Sequence, residues 1–204
     1  MEDSSKISLI SKRIDEASYG SAFVISDFTD LAEYETAKKT IARLEKNNTL
    51  RRVLRGVYDK PMYSSLLQEY AAPNPDSIAH AIARNYNWTI SASGNTALNL
   101  LGLSTQVPAN WSYISSGPYK DYSFGKVKLT FSHRSDSQVK GMSEKTLLLI
   151  QALKAIGQKN VSNTDILLIR KRISSEEYET VLLETRHTIN WVHEVIKEIC
   201  REEG

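Results

Sequence analysis

Along the first sixty residues, apolar positions recur at helical spacing and then switch to a spacing of two. Ile7, Leu9, Ile10 and Ile14 predict a helix over residues 6–17, and Tyr19-Gly20-Ser21 breaks it. Phe23, Val24, Ile25, Phe28 and Leu31 suit a second, short helix, with Ser26 or Asp27 near its start. Ala32-Glu33-Tyr34 makes a tight turn, and Ala37, Ile41 and Leu44 give a third helix one apolar stripe. Leu50, Val53 and Val57 then mark a hairpin with Arg55-Gly56 as its turn. Three helices followed by a hairpin is the plan of a winged helix-turn-helix.

Beyond this, residues 60–77 carry three prolines and few long apolar side chains, which reads as a connector. Pro75-Asp76-Ser77 opens a helix with Ile78, Ala81 and Ile82 on one face. Residues 88–91 predict a short strand, and residues 93–101 a helix ended by Gly102. Three strands follow over residues 111–115, 119–124 and 126–132. Ser143 caps a helix over 144–156, and Ser162 with Asp165 and Ser174 with Glu177 form capping boxes for two more helical stretches. The last runs from Tyr178 to the end of the chain, with a kink near His187. The fold expected is therefore α+β. A winged helix-turn-helix over 1–62 and a linker over 63–76 precede a mixed α/β domain over 77–204. That domain has a short antiparallel sheet and C-terminal helices.

Charge sharpens this picture. The chain's net charge is only +2, yet residues 36–60 hold eight basic side chains against Glu45 and Asp59, a local +6 that leaves −4 for the rest. A basic patch on a slightly acidic body fits a DNA-binding module joined to something else. A lysine-rich helix face is often merely solvated. Here the clustered Arg51, Arg52 and Arg55 favour phosphate, which planar guanidinium groups recognise well. Thr36, Lys38, Lys39, Thr40 and Arg43 lie off the apolar stripe and are the candidates for groove contacts; the three arginines are candidates for the wing's phosphate contacts.

Other chemistry is thin. Cys200 is the only cysteine, so no disulfide can form within the chain. Ser93-Gly94 follows a strand and precedes a helix, but lacks the first glycine of a nucleophile elbow and reads as a helix cap. His187 and His193 are six apart, which does not suit a metal pair on one helical face. His133 near Asp136 has no recognised catalytic spacing, and Tyr119 and Tyr122 beside Lys120 read as alternate residues of an amphipathic strand. No catalytic residue, metal site or cofactor is assigned. The acidic N-terminus lacks a signal-peptide pattern and no segment is long and apolar enough to span a membrane, so a cytoplasmic protein without membrane contact is expected.

Four passages together carry a family resemblance: LEKNNTLRRVLRGVYDKP, SIAHAIARN, SASGNTALNLLGLSTQVP and YISSGPYKDYSFGKVKLTFSHR. They resemble the AbiEi-type antitoxins and transcriptional regulators of bacterial type IV toxin–antitoxin systems, over roughly residues 7–157. The resemblance implies an N-terminal winged helix that binds and represses the protein's own operator. It also implies a second domain that counters a nucleotidyltransferase-like toxin, without a stable complex. Ser93, Gly94, Leu101, Gly102, Ser104 and Gln106 match the second domain's signature. The polar loop Ser104, Thr105 and Gln106 is the candidate partner-binding surface. Three alternatives remain: a nuclease-like enzyme that uses the winged helix for docking, a stand-alone regulator without a toxin, and a protein-interaction module whose basic wing meets an acidic partner.

Overall fold

The first expected helix forms as α1 (Glu2–Glu16), which buries Ile10 and Ile14 completely but leaves Leu9 exposed. The structure is a computed structural model and describes residues 2–135 and 141–201. It divides into two units, Met1–Trp88 and Thr89–Gly204, each mixing helices with small sheets, so the protein is α+β.

In the N-terminal unit, the helix expected around Phe23 does not form. Ala22–Val24 is strand β1, followed by a one-turn 3-10 helix, Ile25–Phe28. Pairing explains the difference. Phe23 lies opposite Tyr58, and Val24 opposite Val57, on strand β3 (Val57–Asp59). Aromatic and β-branched residues gain more from such a ladder than from an isolated helical turn. The Asp27 carboxylate accepts the Val24 N–H at 2.9 Å and fixes the turn that follows the strand. Next come α2 (Tyr34–Lys46) and β2 (Arg51–Leu54), giving an antiparallel sheet of order β1–β3–β2. Gly56, at φ +78°, supplies the left-handed residue of the β2–β3 turn. Phe28, Ala37, Ile41 and Leu50 join Ile10 and Ile14 in one core.

The stretch 63–76, expected as a linker, holds a small hairpin, β4 (Tyr63–Ser64) and β5 (Glu69–Tyr70). The rings of Tyr63 and Tyr70 meet edge to face at 5.2 Å. After it, Asn74 caps α3 (Pro75–Tyr86), its side chain accepting the N–H groups of Asp76 and Ser77, with Pro75 in the first helical position. This helix was expected to open the second domain, yet it packs on β1, β3 and the 3-10 helix. Ile78, Ala79, Ala81, Ile82 and Ala83 are all buried. Arg84 fixes the alignment by donating to both oxygens of Asp27 at 2.9 and 3.0 Å and to the Ala22 carbonyl at 2.9 Å. The division of the chain therefore falls after Trp88 and not at 63–76.

The C-terminal unit is built on a four-stranded sheet. Its strands β6 (Ile90–Ala92), β7 (Asn110–Ser115), β8 (Lys120–Phe124) and β9 (Val127–His133) take the order β6–β7–β9–β8. The expectation of an antiparallel sheet needs correction, because β7 and β9 run parallel. The tight β8–β9 hairpin lays β9 beside β8, and β9's other edge then meets β7 in the same direction. Tyr113 and Phe131 are opposite residues on these central strands, with rings stacked at 5.6 Å. Helix α4 (Gly94–Leu100) follows β6, and α5 (Glu144–Ile156) packs against α4 and β6. Leu147, Leu149, Ile150, Ala152 and Leu153 are buried on α5, so it runs through the middle of the unit.

Three further helices cover α5 or pack beside it: α6 (Asn163–Arg170), α7 (Tyr178–Thr185) and α8 (Asn190–Ile199). The single kinked C-terminal helix expected from the sequence is in fact two helices. The Thr185 hydroxyl donates back to the Val181 carbonyl at 2.8 Å, and Thr188 donates to the Thr185 carbonyl at 2.7 Å. Such back-bonding by β-branched hydroxyl residues weakens helix continuation. His187, Thr188 and Ile189 consequently lie in the break between α7 and α8.

Candidate nucleic-acid interface

Helix α2 is amphipathic because Ala37, Thr40 and Ile41 turn inward and Leu44 packs partly against the core. Lys38, Lys39, Ala42, Arg43 and Lys46 are exposed. Lys39, Arg43 and Lys46 follow one another at one-turn spacing, which places them on one outward face. Lys38 is partnered locally by Glu35 at 3.3 Å. Thr36 is half-buried.

Thr40 is not on this outward face. It is 3% exposed, and its hydroxyl donates to the Thr36 carbonyl at 2.8 Å. Its assignment as a groove contact is corrected accordingly: it lies about 100° round the helix from Lys39, beside the buried Ile41.

The hairpin arginines separate into two kinds. Arg51 donates through Nε and Nη2 to the two oxygens of Asp59, at 3.0 and 2.5 Å, and through Nη1 to the Ala71 carbonyl at 3.0 Å. That guanidinium is committed to the fold, so its place among the phosphate contacts is also corrected. Arg52 and Arg55 are exposed. Together with Lys39, Arg43 and Lys46 they form no ion pair among the described residues.

Tyr58 of β3 stands opposite Arg52 of β2 and shares a core with Ile41 of α2. Its phenol pKa is raised, chiefly by burial and then by the Glu45 carboxylate of α2, whereas the charge of Arg52 on β2 lowers it. Lys60, another residue of the basic cluster, has a structural task. Its ammonium donates to the Asp15 and Ala17 carbonyls at 2.8 and 2.9 Å, capping the C-terminal end of α1.

In the C-terminal unit, the signature segment is organised by a residue that sequence reasoning passed over. Asn99 donates to the Gln106 carbonyl at 3.0 Å and to the Ser104 carbonyl at 3.4 Å, holding the loop after α4 in shape. The Ser104 hydroxyl accepts the Gln106 N–H at 3.2 Å, so it shapes the loop, while Thr105 and Gln106 are exposed. Gly102 has φ +72°, and a Cβ there would meet the Arg172 guanidinium at 2.6 Å. The fully buried Thr96 accepts the Ser112 N–H at 2.9 Å and ties α4 to β7. Ser93 occupies the cap position of α4, but its hydroxyl makes no capping bond.

The histidines are dispersed. His133 Nδ1 is 2.9 Å from the Gly117 carbonyl, and His193 Nδ1 is 3.0 Å from the Thr185 hydroxyl. Asp136 lies outside the described residues. Among the described residues no three His, Cys, Asp or Glu side chains are grouped to hold a metal ion, and no helix is long and apolar enough to cross a membrane. Cys200 is buried, and burial raises its thiol pKa despite the nearby charge of Arg170.

The protein is thus an α+β chain with an exposed cationic helix and hairpin in its N-terminal unit. Residues 9–181 match the family described as "Family of unknown function (DUF6088)", and the chain belongs to that family. No curated protein matches it. Among solved structures it is similar to the RV2827C protein from Mycobacterium tuberculosis, at 12% identity and a TM-score of 0.40, over 94% of this chain and 74% of that one.

Proposed function

We propose that the N-terminal unit is a winged helix-turn-helix that binds duplex DNA, and that the protein represses transcription of its own operon. The order helix, strand, short helix, helix and two-stranded hairpin supports this, as does the sheet order β1–β3–β2. The observation that carries the proposal is the set of five cations without an ion pair among the described residues, Lys39, Arg43, Lys46, Arg52 and Arg55, on α2 and the adjoining hairpin. Helix α2 has 13 residues, or about 20 Å, enough to lie in a major groove. In this reading Thr36, Lys39 and Arg43 meet base edges and nearby phosphates, and Arg52 and Arg55 hold the flanking backbone.

The same proposal gives the C-terminal unit the antitoxin role in a type IV system, countering a nucleotidyltransferase-like toxin without a stable complex. Its support is the resemblance carried by SASGNTALNLLGLSTQVP, together with the ordered, exposed loop at Thr105 and Gln106. The test has two readouts on the full-length protein. Footprinting on DNA upstream of its own gene should show one protected site, lost in the Arg52→Ala/Arg55→Ala variant. That variant, co-expressed with a toxin encoded beside it, should still restore growth. No protected site would reject the repressor, and loss of rescue along with repression would reject the division of roles.

A further inference from the structure

We propose that the C-terminal unit binds a small phosphorylated organic molecule of about mononucleotide size, in a cavity framed by β7, the end of β9, α5 and the α7–α8 break. This goes beyond DNA recognition and places a ligand in the unit without the basic helix.

The cavity measures about 360 Å³. That is near the lower end of small-molecule sites, which span about 300–1,000 Å³, and it is more than a bare phosphate requires. Ile114 of β7 and Ile150 of α5, each 3% exposed, contribute apolar lining. Arg134, Lys154, His187 and Gln151 add polar groups to the wall, and among the described residues no carboxylate lines it.

Charge decides the ligand class. The Arg134 backbone is pinned at the sheet end, where its N–H donates to the Ser115 carbonyl at 2.8 Å. Its Nη1 donates to the His133 carbonyl at 2.8 Å, a neutral partner. Neither Arg134 nor Lys154 forms an ion pair among the described residues. Lys154 has its pKa lowered, first by burial and then by the positive charge of Arg134. Two cations that repel each other across a cavity, with no acid among its described lining residues, favour an anion between them. A phosphate monoester supplies close to two negative charges and several acceptor oxygens, and an arginine fork suits it. The apolar lining then takes the organic body. The break between α7 and α8 is what brings His187 to this wall; a continuous helix would carry that residue on its regular surface.

Titration calorimetry on the full-length protein tests the inference, with the four common nucleoside 5′-monophosphates, the matching uncharged nucleosides and inorganic phosphate as probes. At least one monophosphate should bind, its nucleoside should not, and inorganic phosphate should bind more weakly than the ester. Arg134→Gln and Lys154→Gln should each weaken binding about tenfold, with thermal melting unchanged to show that the variants fold. The Arg52→Ala/Arg55→Ala variant should bind the monophosphate normally, which separates this cavity from the DNA-binding surface. The inference is overturned if no monophosphate binds, if the nucleoside or inorganic phosphate binds as well as the ester, or if affinity follows the hairpin arginines instead of Arg134 and Lys154.

Discussion

Arg51 stands opposite Asp59 in the β2–β3 register and grips its carboxylate through both Nε and Nη2. Asp59 is 1% exposed, so the arginine neutralises a charge that water cannot reach. The third bond, to the Ala71 carbonyl, ties the hairpin to the segment just before α3. Within a run of three arginines, one is thus a strut and two are left for solvent or DNA.

The first prediction follows from that pair. Arg51→Ala leaves Asp59 buried without its partner and should destabilise the N-terminal unit by about 3 kcal/mol, since breaking a buried ion pair costs about 3–5 kcal/mol and Arg51 is partly exposed. Urea unfolding measures it. Arg52→Ala should leave the unfolding midpoint nearly unchanged while weakening DNA binding. If Arg51→Ala were as stable as the parent protein, the strut role would be wrong.

Thr40 supplies a second prediction. Because its hydroxyl is bonded within α2 and the residue is buried, Thr40→Val should leave DNA sequence preference unaltered. Arg43→Ala should relax preference at one base-pair position, with about 1–3 kcal/mol lost there. Binding to a library of site variants distinguishes the two. A change in preferred sequence for Thr40→Val would contradict the placement.

The third concerns the division of the chain. A polypeptide ending at Trp88 retains α3 on β1 and the Arg84–Asp27 pair, and should unfold cooperatively. One ending at residue 62 loses five buried residues of α3 and the partner of Asp27, and should show no cooperative transition. Thermal melting followed by circular dichroism decides. Cooperative unfolding of the shorter polypeptide would restore the boundary at 63–76.

Much of the fold was legible where local rules act alone. The stripe of α2, the helix start at Pro75, the cap at Ser143, and the capping box at Ser162 and Asp165 each lie within one turn of chain. What was not legible depends on partners far away in sequence. Phe23 and Val24 read as helical until β3 offers them a ladder. The α3 helix is amphipathic in the sequence, but the unit it joins is decided by β1, β3 and Asp27, which lies 57 residues before Arg84. At the candidate site the cationic patch was visible as charge. The commitment of Arg51 to Asp59 and of Lys60 to the end of α1 was not, because composition counts a cation without its partner. Asn99 carried no signal beyond being one asparagine in a helical run, and its role appears only when the loop folds back to it.

The central claim is that the exposed cations of α2 and the hairpin bind duplex DNA through phosphates. Lys39, Arg43, Lys46, Arg52 and Arg55 would neutralise about four to five phosphates, each contributing about −0.9 to the slope of log K against log salt. The measurement is fluorescence anisotropy of full-length protein on a duplex from upstream of its gene, titrated between low and physiological salt. A slope of about −4, reduced by about 2 in the Arg52→Ala/Arg55→Ala variant, is the predicted result. A salt-independent affinity, or a slope unchanged by removing both arginines, would contradict it.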